Sequence, residues 1–254
     1  SQATHTKWAG KTVHFARETD STNLWGKRAW REEGAGHGEL FVAEYQSAGR
    51  GRFTRRWSAP PDSAITMSIL ICPEFSPQKA PMLTLVMGLS VAQAVAELGL
   101  DVWIKWPNDV VVSRKKICGI LTEAVTDVET GMIDSLIVGI GVNVSTPEED
   151  FPEEVRQVAG SVFKPSEEPV SRNQIAAGIL NELLSLCEGL GTHRHMEEYR
   201  KRCLTLGKKV SFQKDGRTWM GTAEGIQDNG ALEVCLDGGE RIVLQSGEVS
   251  VRPY

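Results

Sequence analysis

Glu44-Tyr45-Gln46-Ser47-Ala48-Gly49-Arg50-Gly51-Arg52 is the stretch from which the rest of the chain can be read. Upstream of it, Leu40-Phe41-Val42-Ala43 is apolar and β-prone, so a strand through Leu40–Tyr45 delivers the chain into the glycine–arginine run. The loop that follows extends from about Gln46 to Pro61 and carries four arginines. It is long for a mere connection, and long ordered loops tend to be functional. Glycine at 49 and 51 lets a backbone approach a ligand closely. Arg50, Arg52 and Arg55 present rigid donor forks matched to carboxylate and phosphate oxygens, and Trp57 adds a face on which a base can stack. Spacing alone divides evenly between an anion-binding loop and a solvated, or loosely RNA-binding, arginine–glycine stretch.

Outward from this loop the elements fall into order. Val13–Phe15 reads as a strand, and Asp20, Ser21 and Thr22 supply N-cap chemistry for a helix to about Glu33, ended by Gly34. Ala64–Cys72 is a strand, and Pro81–Leu98 is the longest helical pattern, apolar on most faces and hence central. Val102–Trp106 is a strand stopped by Pro107. Val110–Val112 follows, then a charged hairpin turn at Ser113–Lys116, and Ile117–Val125 and Ser135–Val144 complete a sheet around a turn at Glu129–Gly131. From Ser145 to Pro169, prolines and acids mark a second functional loop, with a short helix near Glu153–Val158. Val170–Leu190 and Arg194–Leu204 are amphipathic helices. Beyond Leu206-Gly207 five short strands, Val210–Phe212, Thr218–Ile226, Leu232–Leu236, Arg241–Leu244 and Val249–Val251, are punctuated by Asp215-Gly216, Asp228-Asn229-Gly230 and Asp237-Gly238-Gly239, which predicts a small barrel.

The 254 residues suit one main domain with a small appendage. A net charge of −5 argues against a nucleic-acid binder while leaving room for local phosphate sites. The five scattered cysteines form neither a disulfide framework nor a zinc site. Cys72, Cys118 and Cys235 sit in apolar or alternating runs and read as buried, reduced thiols, which fits a cytoplasmic protein. No apolar run reaches the roughly 18–20 residues of a membrane span, and the N-terminus has no secretory signal. P-loop, HExxH and GxSxG motifs are missing.

Three further motifs accompany the arginine loop. Lys105 lies in Trp103-Ile104-Lys105-Trp106-Pro107-Asn108-Asp109, on the face of its strand opposite Ile104 and Trp106. Taken alone it is a snorkelling lysine; beside an arginine loop it is a cation placed to neutralise charge during phosphoryl transfer. Gly139-Ile140-Gly141-Val142-Asn143 puts glycines inside a strand, which marks a bulge or a close approach. Ser21-Thr22-Asn23 is first a helix cap, and a helix N-terminus also receives anions.

In this order the motifs resemble those of the biotin–protein ligases. The resemblance runs from about Lys7 to Arg252, through Asp20–Asn23, Glu44–Arg52, Lys105–Asp109, Lys116-Ile117-Cys118-Gly119-Ile120-Leu121-Thr122-Glu123, Gly139–Asn143 and the closing Gly247–Arg252. It implies an α+β fold: a class II synthetase-like catalytic domain, residues 1–205, with a mixed, largely antiparallel sheet packed by helices, and an SH3-like β-barrel, residues 206–254. It implies an enzyme that joins biotin to ATP, releasing pyrophosphate, and then passes biotin from biotinyl-5′-AMP to a lysine of a biotin carboxyl carrier protein. Mg²⁺ accompanies ATP, with no dedicated protein metal site. By the same resemblance Lys105, Arg50 and Arg52 are catalytic, with Lys105 on the biotin carboxylate. Ser21, Thr22, Asn23 and Gln46 hold the biotin head group, and Gly49, Gly119 and Gly141 line its tail. Arg50 also belongs to the biotin site, and Arg50, Arg52, Arg55, Lys105 and Asn108 belong to the ATP and adenylate site. Trp57 and Phe151 sandwich adenine with Asn143 on its edge, and the 145–165 loop orders over the nucleotide.

Thr54 stands where many members have glycine, which stiffens the second half of the arginine loop. Some members carry an N-terminal winged helix that binds DNA. This chain shows no such segment, although Thr6–Gly10 resembles its junction, and DNA binding is not expected. A weak homodimer is expected. The alternatives are a lipoate or octanoate ligase on the same ancestral fold, and a biotin-dependent regulator lacking its DNA-binding domain here.

Overall fold

Seven strands form the larger sheet of the computed structural model, in the order β1-β2-β3-β7-β6-β5-β4. The structure describes residues 11–72, 80–126, 132–163, 171–187, 193–245 and 249–251. The expected turn at Glu129–Gly131, the junction at Thr6–Gly10, Pro165 and Pro169, and Gly247, Glu248 and Arg252 lie outside these residues. The strands are β1 Val13–Thr19, β2 Leu40–Gln46, β3 Ala64–Ile71, β4 Val102–Lys105, β5 Asp109–Val112, β6 Lys115–Thr126 and β7 Ile133–Asn143. Only β1 and β2 pair in parallel; the other neighbours are antiparallel. The sheet is thus mixed and largely antiparallel, as expected.

The alternation of side chains decides which face each helix covers. On β3, Ile65, Met67, Ile69 and Ile71 point into the main core, and on β7 so do Leu136, Val138, Ile140 and Val142. The helix α2, Ala80–Ala96, lies on this face and is buried almost all round. Helices α3, Arg172–Cys187, and α4, His193–Lys201, pack behind it. The opposite face is apolar at one end only: Phe41, Leu70, Val125 and Ile137 form a small second core with Trp25 and Trp30. It is covered by α1, Thr22–Arg28, which continues as a π-helical turn over Ala29–Glu33 and stops at Gly34 with φ 72°. That left-handed residue is the C-terminal glycine the sequence called for.

The C-terminal strands β8 Lys209–Lys214, β9 Arg217–Ile226, β10 Leu232–Leu236, β11 Arg241–Leu244 and β12 Val249–Val251 make an antiparallel sheet in the order β11-β10-β9-β8-β12. Asp215 and Gly216, at φ 52° and 71°, form the two-residue turn between β8 and β9. This sheet shares the main core through Val210, Phe212, Ala223 and Ile226. Trp106, 2% exposed, reaches across and donates its indole N–H to the Gly230 carbonyl at 2.9 Å.

Three local expectations are corrected. Glu153–Val158 is a run of turns, and the short helix of that loop is a 3₁₀ turn at Glu148–Asp150. Ser21 occupies the N-cap position of α1 with extended backbone but makes no side-chain cap; the Gln46 side chain caps instead, its Oε1 accepting the Thr22 N–H at 2.8 Å. Cys118 and Cys203 are buried free thiols, while Cys72 and Cys235 are only partly buried. Among the described residues no helix is long and apolar enough to cross a membrane.

Candidate functional site

Beyond the end of α1 no helix among the described residues covers the second face of the sheet, and the strand alternation supplies its floor. On β7 the outward residues pass from Ile137 to Gly139, Gly141 and Asn143; on β6 they pass from Val125 to Glu123, Leu121 and Gly119. A cavity of about 1350 Å³ opens here. Ser21, Thr22, Asn23, Gln46, Gly49, Arg50, Arg52, Arg55, Trp57, Lys105, Asn108, Gly119, Gly141, Asn143 and Phe151 all line it. The structure therefore brings every sequence-selected residue to one place, from loops and strands far apart in the chain.

The arginine loop folds back on itself over this floor. Arg50 and Arg56 form an antiparallel bridge. The Gly51 N–H donates to the Arg55 carbonyl at 2.9 Å, and the Trp57 N–H to the Gly49 carbonyl at 3.0 Å. The tight point is Phe53, at φ 58°, so Thr54 is not asked to adopt a glycine conformation. Gly49 is required because a Cβ there would strike the Trp57 carbonyl.

The Trp57 indole stands over Gly141 and fills the space a side chain there would take, whereas a Cβ at Gly119 would meet the end of the Lys116 side chain first and the indole only in ordinary contact. The indole N–H is buried without a hydrogen-bond partner. Phe151 lines the same cavity but is 4% exposed, its ring packed into the protein.

The cations gather at the other end. Lys105 closes β4, and its amine is pulled below the usual lysine value chiefly by burial, with Asp109 opposing. Arg52 is also lowered by burial and donates to Asn108 Oδ1 at 2.9 Å, while Asn108 Nδ2 donates to the Ile120 carbonyl at 3.0 Å. Lys116 pairs with Asp109 at 2.7 Å and lines the cavity, although it was not among the residues selected from the sequence. A bulge explains why. Val110 faces Cys118 while Val111 faces Lys116, so Ile117 is an extra residue in β6. Strict alternation would put Lys116 and Cys118 on one face; the bulge sends Cys118 into the core and Lys116 to the cavity.

A buried polar network lies under the arginine loop. Thr22 Oγ1 donates to Gln46 Oε1 at 3.2 Å. Ser68 Oγ lies 2.7 Å from Thr22 Oγ1 and 2.6 Å from Asn23 Oδ1, its one hydrogen serving either acceptor. Asn23 Nδ2 donates to Glu123 Oε2 at 2.8 Å. Glu123 also pairs with Lys27 at 2.8 Å and Arg50 at 3.3 Å. Burial opposes its ionisation, and Lys27 and Asn23 outweigh that, so its carboxyl sits below the usual range. Glu123 and Ser68 were also missed: Glu123 was visible as the end of the Lys116–Glu123 stretch, whereas Ser68 carried no local signal.

The segment 145–163 is docked along the rim. The Lys116 N–H donates to the Val158 carbonyl at 2.7 Å, the Gly160 N–H to the Lys116 carbonyl at 2.9 Å, and Asn143 Nδ2 to the Gly160 carbonyl at 3.1 Å. Asn143 Oδ1 is buried with no partner. No group of three or more metal-ligating side chains occurs among the described residues.

Residues 15–143 match the family model described as the biotin/lipoate A/B protein ligase family, and residues 205–252 match the biotin protein ligase C-terminal domain. The bifunctional ligase/repressor BirA of Bacillus spizizenii is 35% identical over 78% of this chain and 62% of its own length. This chain therefore spans less than two thirds of that relative. The biotin–[acetyl-CoA-carboxylase] ligase of Mycobacterium tuberculosis is 34% identical over 84% of this chain and 78% of its length. The biotin protein ligase of Aquifex aeolicus, solved with biotin and ATP, superposes with a TM-score of 0.80 at 28% identity, covering 96% of this chain and 100% of that one.

Proposed function

The chain belongs to the biotin/lipoate A/B protein ligase family, and from that premise we propose that it activates biotin with ATP and transfers it to a lysine of a carboxylase carrier domain. The observation that carries this reading is the single cavity in which Arg50, Arg52, Arg55, Lys105 and Lys116 converge over a glycine-floored sheet. Two anions, a carboxylate and a triphosphate, must meet there. Fixed cations lower their repulsion and hold the line of attack, which is where adenylyl transfer gains most of its rate.

In the first step a biotin carboxylate oxygen bonds to the α-phosphorus of ATP and the bond to the β-phosphate oxygen breaks, releasing pyrophosphate. Lys105 and Lys116 flank Asp109 at the cation-rich end, where the carboxylate and α-phosphate would lie. In the second step an acceptor lysine amine attacks the biotinyl carbonyl, loses its proton and expels AMP. Ser21, Thr22, Asn23 and Gln46 form the polar end suited to the biotin head group, reached past Gly49, Gly119 and Gly141 once Trp57 moves aside. Trp57 then has its unpartnered N–H and its ring available to the adenylate, with Asn143 Oδ1 and Phe151 at the same wall. Magnesium fits as a passenger of the triphosphate, since it is commonly held by phosphates with few protein ligands and no three-ligand cluster is present among the described residues. Bound there, it would neutralise charge on the leaving pyrophosphate.

We also propose the division into a biotin- and ATP-binding unit at 1–205 and a C-terminal unit at 206–254. The test of the function is biotin-dependent exchange of pyrophosphate into ATP, run beside lipoate. Exchange with biotin is expected. Exchange supported better by lipoate would replace the substrate, and no exchange with either in a folded sample would refute the ligase.

A further inference from the structure

We propose that Glu123 is a positioning residue for the arginine loop: its inner carboxylate latches Arg50 so that the remaining guanidinium N–H groups face the cavity. The identity of the anion rests on the ligase reading above, while the latch itself rests on geometry. Glu123 projects from β6 with its side chain 14% exposed, and Arg50 comes down on it from the loop with its side chain 44% exposed. Lys27, from α1, takes the same carboxylate oxygen at 2.8 Å, and Asn23 takes the other at 2.8 Å.

Lys27 alone would neutralise the acid. The addition of Arg50 leaves two cations on one carboxylate, a surplus of one positive charge at the wall of the cavity. Without the carboxylate the two cations repel, and the half-exposed Arg50 turns to solvent. The same acid reaches the root of the loop by a second route. Its contact to Asn23 continues through Ser68 and Thr22 to Gln46, the residue that opens the loop. Asn23 can reach Glu123 because it occupies the space left by Gly139. One half-buried carboxylate therefore fixes the loop both at its root and at its first arginine.

The test uses Glu123→Gln and Glu123→Asp in the full chain, with two readouts. The first is limited trypsin digestion, comparing cleavage after Arg50, Arg52, Arg55 and Arg56 with cleavage elsewhere. The second is biotin-dependent exchange, giving KM for biotin, KM for ATP and kcat, in the wild-type and Arg50→Ala backgrounds. Glu123→Gln is expected to speed cleavage in the loop selectively and to raise KM for biotin about tenfold, with little further effect once Arg50 is alanine. Glu123→Asp is expected to recover part of both. Equal loss in both backgrounds, or unchanged cleavage of the loop, overturns the latch. If Glu123→Gln does not fold, Lys27→Met/Glu123→Gln, which removes one charge of each sign, is read in the same way. Wild-type protein without biotin-dependent exchange would refute the ligase reading and leave the digestion readout to decide the latch.

Discussion

The indole of Trp57 fills the space above Gly141: a Cβ at 141 would overlap the ring at Cε2 and Cζ2. The loop tryptophan and the strand glycine are thus complementary halves of one contact. Gly141→Ala must displace the ring or the strand, and overpacking of this kind destabilises by about 1–3 kcal/mol. Chemical denaturation with tryptophan fluorescence is the measurement. A change under about 0.5 kcal/mol would show that the ring leaves the floor freely.

Trp106 is legible as a core residue from the alternation of its strand, and its bond to the Gly230 carbonyl is not, since the partner lies 124 residues away in the turn between β9 and β10. Trp106→Phe removes that donor, strands a buried carbonyl and leaves a void. Equilibrium unfolding is expected to show a loss of about 2–4 kcal/mol. A loss below about 1 kcal/mol would mean that water or a neighbour takes over the carbonyl.

How far the sequence could be read follows the range of the forces involved. Gly34, Asp215-Gly216 and the strand of Leu40–Tyr45 obey local rules, and the structure puts them within a residue or so of where local chemistry places them. The parallel pairing of β1 with β2 has no local signature, because parallel and antiparallel edges use the same residues. The site divides in the same way. Gly49, Arg50 and Lys105 were visible as motifs. Lys116 was hidden because its direction depends on the bulge at Ile117, and Ser68 because it matters only through Asn23, Thr22 and the network they share. The short helix misplaced at Glu153–Val158 has the composition of a helix, but its N–H groups are spent on local turns and its Val158 carbonyl accepts the Lys116 N–H of β6.

Asp20 accepts two hydrogen bonds from Arg28 at 2.7 and 3.0 Å, and Arg28 holds its carboxyl down at about 2. The unfolded value is near 3.9. A carboxyl lowered on folding stabilises the protein above its unfolded value, and that contribution disappears as pH falls through the folded one. Asp20→Asn is therefore expected to melt lower than wild type at pH 7, with the two curves converging as pH drops from about 4 to 2. The pair is partly exposed, so solvent and salt keep its worth below about 1 kcal/mol. Curves that stay parallel through that window would assign the difference to something other than ionisation.

Lys105 offers the sharpest link between burial and chemistry. Burial lowers its amine below the ordinary lysine value while Asp109 pulls the other way, and Lys116 and Arg55 add to the lowering. The useful form is the ammonium, which exists below the lowered value and is lost as pH rises through it. The alkaline limb of kcat/KM for biotin in the exchange reaction should therefore lie below the ordinary lysine range. Lys105→Arg keeps a cation that does not titrate there, so its limb should move to higher pH even though its different shape lowers the rate. Lys105→Ala should fold normally and lose about 10²–10³ in rate. An alkaline limb shared by wild type and Lys105→Arg would assign the titration to another group facing the cavity.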